Sequence, residues 1–82
     1  MKTLRASIHS AEQQALRHLF ITQRQQLGLS QRALAERMGV VYSVIGKIET
    51  GDRRLDVFEF IEYCHALELD PKAVITQLEA LI

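Results

Sequence analysis

Three glycines govern what this chain can become. Gly28, Gly39 and Gly51 cut its middle into segments too short for anything but two-turn helices. Each glycine supplies the left-handed backbone that stops a helix at its C-terminal end. Between Gly28 and Gly39 stands "LSQRALAERM", with Ser30 as an N-cap and Leu34, Ala35 and Met38 on one face of a helix over about 31–38. Between Gly39 and Gly51 stands "VVYSVIGKIET". Here Ile45 and Ile48 share an inner face over about 42–50, and Val41 occupies the cap position without any capping group.

The flanks obey the same punctuation. Ser10 with Gln13 opens a helix over about 11–27, whose stripe is Leu16, Leu19, Phe20, Gln23 and Leu27. Asp56 with Glu59 is a capping box for a fourth helix over about 57–67, with Val57, Phe60, Ile61, Cys64 and Leu67 as its stripe. Asp70-Pro71 starts a fifth over about 71–81, carrying Val74, Ile75, Leu78, Leu81 and Ile82. No stretch alternates with period two for long enough to be a strand. The fold class expected is therefore all-α, with an N-terminal arm over 1–9 and a single five-helix domain over 10–82.

Helices 2 and 3, joined by a tight turn headed by Gly39, have the layout of a helix-turn-helix, whose second helix enters the major groove. Ala35 sits where a larger side chain would push the two helices apart. With Ile45 and Ile48 seated inward, Tyr42, Ser43, Gly46 and Lys47 are expected to point outward. Net charge is zero, but its distribution is not even. Residues 1–55 hold nine basic and four acidic residues, whereas residues 56–82 hold one and six. That asymmetry suits a module that turns one end toward phosphates.

"GLSQRALAERMGV" resembles helix 2 and the turn of the Cro and lambda-repressor-like regulators, the xenobiotic-response-element family, and "SVIGKIETGDRRLDVFEFIEYCHALELDP" resembles their helix 3, following loop and helix 4. The resemblance runs from about Leu16 to Ala73. It implies a five-helix lambda-repressor-like DNA-binding domain and a transcriptional regulator, in the first instance a repressor, acting as a homodimer on an inverted-repeat operator in double-stranded DNA. By the same resemblance Tyr42, Ser43, Gly46 and Lys47 match base-contacting positions. Gln31, Arg32, Thr50, Arg53 and Arg54 match phosphate-contacting ones, with Asp52 or Asp56 as alternative partners for the last two. Arg24 and Glu49 match a structural salt bridge. Val41 departs from the family's usual capping residue, and Gly46 costs about 1 kcal/mol relative to alanine inside a helix.

Apolar residues beyond what a small core absorbs, namely Phe58, Ile61, Leu78, Leu81 and Ile82, are expected at the dimer contact. An alternative reading is a helix-turn-helix domain that grips another regulatory protein, as an antiactivator or antitoxin-like partner, through Val40, Val41, Tyr42 and Val44. No nucleophile–base pair or phosphate loop points to an enzyme. His9, His18, His65 and Cys64 lack metal-ligand spacing, and no cofactor is expected. One cysteine excludes an internal disulfide, and the absence of a secretory or membrane-spanning apolar run makes a cytoplasmic protein the expectation.

Overall fold

The computed structural model describes residues 10–82; the arm expected over 1–9 lies outside them. Five helices follow one another: α1 Ala11–Gln26, α2 Gln31–Met38, α3 Tyr42–Thr50, α4 Val57–Ala66 and α5 Pro71–Glu79. There is no strand among the described residues, and the fold is all-α. No described helix is long and apolar enough to cross a membrane.

The polar caps hold the N-terminal ends. Ser10 accepts from Gln13 N and Ser30 from Ala33 N, at 3.3 and 3.0 Å. At α4 the box is reciprocal. Glu59 N donates to Asp56 Oδ1 at 2.8 Å, while Asp56 N donates to Glu59 Oε1 at 3.0 Å. Asp70 accepts from Lys72 N beside Pro71. Val41, with extended backbone (φ −68°, ψ 142°), offers α3 no such bond.

Four helices end alike. Leu29 N, Val40 N, Asp52 N and Leu69 N each reach back five residues, to Arg24 O, Ala35 O, Lys47 O and Cys64 O. This closure needs a left-handed residue just before the donor. Gly28, Gly39 and Gly51 supply it at φ 71°, 68° and 88°, and at the fourth end Glu68 does so at φ 60°.

The core joins all five helices. Phe20, Leu34, Ile45, Tyr63, Leu67 and Val74 are its largest fully buried side chains, together with the smaller Cys64. Phe20 packs on Tyr63 with ring centroids 4.6 Å apart, and on Phe60 at 5.9 Å.

The inward stripe of α4 differs from the one expected. It runs through Phe60, Tyr63, Cys64 and Leu67, and Val57 and Ile61 are exposed. The aromatic stack on Phe20 draws Tyr63 inside, which turns Val57 and Ile61 toward α5. There they form a shallow groove with Pro71 and Ile75. On α5 Val74 is fully buried and Leu78 half-buried, while Ile75, and Leu81 and Ile82 beyond the end of the helix, remain outside the core.

Candidate nucleic-acid interface

Gly39, Val40 and Val41 carry the chain from α2 into α3. Gly39 turns it, and half-buried Val40 packs on the core. Fully buried Ala35 lets the two helices approach, while Ile45 and Ile48 seat α3 from below.

A polar knot completes the seat. Arg24 Nε and Nη2 reach Glu49 Oε2 and Oε1 at 2.6 and 3.0 Å, and Arg24 Nη1 donates to Leu29 O at 2.8 Å. Gln31 Nε2 donates to Glu49 Oε1 at 2.8 Å. One carboxylate on α3 thus joins Arg24 of α1 to the first residue of α2, and the same arginine holds the loop between those helices. The hydrogen bond to Glu49 holds Arg24 above its ordinary pKa, against the opposing effect of burial. Close by, burial pushes the Tyr63 phenol well above its usual range, and the Glu49 charge adds to the shift.

Tyr42, Ser43, Lys47 and Thr50 lie exposed on the side of α3 away from this seat. Gly46 shares their face, four residues after Tyr42 and four before Thr50, but it is partly covered. A Cβ built on it would stand 3.8 Å from Gln31 Oε1. The reason is the knot: to reach Glu49, the Gln31 side chain crosses the flank of α3 at Gly46.

The flanking cations are more engaged than their sequence positions suggest. Arg32 places its guanidinium carbon 4.6 Å from the centroid of the Tyr42 ring. Arg53 Nη2 pairs with Glu59 Oε2 at 2.6 Å, so its carboxylate partner is neither Asp52 nor Asp56. That pairing and the Asp56 N–H hold Glu59 below the usual carboxylate range. Thr50 Oγ1 lies 3.1 Å from Asp52 Oδ2 and 3.3 Å from Lys47 O. Arg54 is exposed beside a small pocket that it shares with Arg53 and Arg17.

Arg17 was not singled out from the sequence. Its guanidinium covers Gly51, with Cζ 2.9 Å from where a Cβ would stand. It therefore sits at the C-terminal end of α3, where a positive charge is favoured. The signal for it lay in its spacing: Arg17 is seven residues before Arg24, two turns along the same face of α1.

Of the residues expected at a subunit contact, Phe58 is 75% exposed, and Ile61, Leu81 and Ile82 are exposed as well. Leu78 packs against the core. Two patches result. Phe58 and Ile61 lie on α4, with Ile61 in the groove toward α5. Leu81 and Ile82 instead border a groove with Glu12, Gln13 and Leu16 of α1. Among the described residues no three histidine, cysteine or carboxylate side chains lie close enough to hold a metal ion.

Two short helices crossing at Ala35, the second pinned on one side and bare on the other, define a helix-turn-helix protein. A family model described as helix-turn-helix matches residues 21–74. A solved structure, the XRE-family like protein from Pseudomonas syringae pv. tomato str. DC3000, is 42% identical with a TM-score of 0.83, over 90% of each chain. No curated protein matches the sequence. The chain belongs to the XRE-family helix-turn-helix proteins, a family of DNA-binding regulators.

Proposed function

We propose that the chain is a sequence-specific transcriptional repressor that acts as a homodimer on an inverted repeat. In each subunit α3 lies in a major groove, and the half-sites are about one helical turn apart. The observation that carries this reading is the division of α3. Ile45, Ile48 and Glu49 hold it from one side, while Tyr42, Ser43 and Lys47 stand exposed on the other. Tyr42 and Ser43 offer hydroxyls and Lys47 a cation to base edges. Gln31, at the N-terminus of α2, keeps a second amide hydrogen for a phosphate, and Arg54 is a further phosphate contact. Phe58 and Ile61 supply apolar surface for the second subunit.

A gel-shift titration over a salt series, using DNA from upstream of the chain's own gene, tests the reading. Lys47→Ala is expected to weaken binding and relax preference at one position. Arg54→Ala is expected to weaken all sequences alike and to reduce the salt slope by about 1. Unchanged affinity in both variants, or a tight protein partner with no DNA shift, would overturn it.

A further inference from the structure

The head of α3 carries an apolar surface that the fold does not use. Val41 is 72% exposed, makes no cap bond, and stands where a serine would cap the helix. Next to it Tyr42 is held from α2 by the Arg32 guanidinium stacked on its ring. Such stacking is an attraction between a cation and the negative ring face, and it favours one orientation of the ring. An exposed β-branched side chain, stiff about its first torsion, therefore adjoins an aromatic ring clamped on one face.

In a helix-turn-helix the N-terminal residues of the second helix are those that meet base edges. The major-groove edges of the bases present one apolar group, the C5-methyl of thymine. We infer that Val41 and the Arg32-clamped Tyr42 form a thymine-methyl reader, with Arg32 acting as a positioning residue. The inference rests on the placement of α3 in the major groove proposed above. It adds Val41 to the specificity-determining residues and gives Arg32 a task other than neutralising phosphate.

The test uses the 82-residue chain and duplexes that it enriches from a random pool. Each thymine of an enriched duplex is replaced in turn by deoxyuridine, which deletes the methyl and keeps the base pair. At one position the loss is expected to be about fourfold in Kd, the equivalent of one buried methyl group. Val41→Ala, at an exposed site, should melt close to the parent and bind thymine and deoxyuridine duplexes nearly alike. Arg32→Ala should reduce the same thymine-to-uridine ratio while keeping the salt slope. The inference fails if no thymine replacement changes affinity, or if the ratio survives in Val41→Ala. A flattened salt slope with an unchanged ratio in Arg32→Ala would show a phosphate contact in place of the clamp. Enrichment of no duplex at all would reject the DNA-reading function itself, a separate outcome from an enriched duplex indifferent to the methyl.

Discussion

Arg24 on α1 and Glu49 on α3 meet at 2.6 Å with their side chains only 13% and 6% exposed. Removing the cation from such a pair leaves a carboxylate out of water with the Gln31 amide as its remaining side-chain donor. The cost of orphaning a buried charge is about 3–5 kcal/mol. Arg24→Ala is expected near the lower end of that range, since the arginine keeps some contact with solvent. Urea denaturation measures it, and a double variant Arg24→Met/Glu49→Met should recover most of the loss. A loss below about 1 kcal/mol would place the pair with ordinary surface bridges.

Tyr63 is fully buried, and its hydroxyl has no hydrogen-bond partner among the described residues. An unsatisfied buried hydroxyl costs about 1–3 kcal/mol, so Tyr63→Phe is expected to be neutral or stabilising, by about 1 kcal/mol. The same burial has a consequence at high pH. The folded chain holds the phenol proton, whereas the unfolded chain releases it near pH about 10. The stabilisation is complete below that value and is lost as pH rises above it. Cys64, its thiol pushed up by burial to about 11, acts in the same sense from a lower starting pH. Melting temperatures between neutral and strongly alkaline pH should fall less steeply for Tyr63→Phe than for the parent.

Gly46 interrupts α3 without a backbone reason, since it is an ordinary helical residue and only Gln31 Oε1, at 3.8 Å, lies near its missing Cβ. Gly46→Ala is expected to stabilise the protein by about 0.5–1 kcal/mol, or several degrees in Tm for a domain of this size. Calorimetry checks the gain. If DNA binding falls while Tm rises, the glycine is kept for close approach to the duplex.

Glu68 adopts the left-handed conformation that glycine adopts at the three similar helix ends. A side chain there costs about 1–2 kcal/mol. Its exposed pair with Arg37, at 2.9 Å, returns about 0–1 kcal/mol. Glu68→Gly is therefore expected to raise stability by about 0.5 kcal/mol. The reverse change, Gly39→Glu, meets no atom within 4 Å of its Cβ and should cost about 1 kcal/mol or more through backbone strain alone. Thermal melts of the two variants should shift in opposite directions.

The helices were legible because their ends are marked by local chemistry. Ser30, Asp56, Asp70 and the glycines act within a few residues of themselves, and the bounds observed lie within two residues of those that spacing predicts. The rotation of α4 was not legible. Val57, Phe60, Ile61 and Cys64 make as good a stripe on paper as Phe60, Tyr63 and Cys64, and the choice was made by Phe20 on another helix. At the site, the outward course of Tyr42, Ser43 and Lys47 followed from the seating of Ile45 and Ile48. What sequence could not supply was the reach of long side chains. Gln31 crosses Gly46, Arg32 lies over Tyr42, and Arg53 turns to Glu59 instead of either neighbouring aspartate. The last case also limits the contrast between a basic and an acidic half. Arg37–Glu68 and Arg53–Glu59 each join the two, so part of the cationic excess is consumed internally.

The one-sided anchoring of α3 separates two kinds of selection. Substitutions at 45, 48 or 49 are judged by whether the protein still folds, while, under the DNA-reading function proposed above, those at 41, 43 or 47 are judged by which target they choose. Descendants of such a chain can exchange one genomic address for another through a handful of surface changes, each made on a body that stays intact throughout.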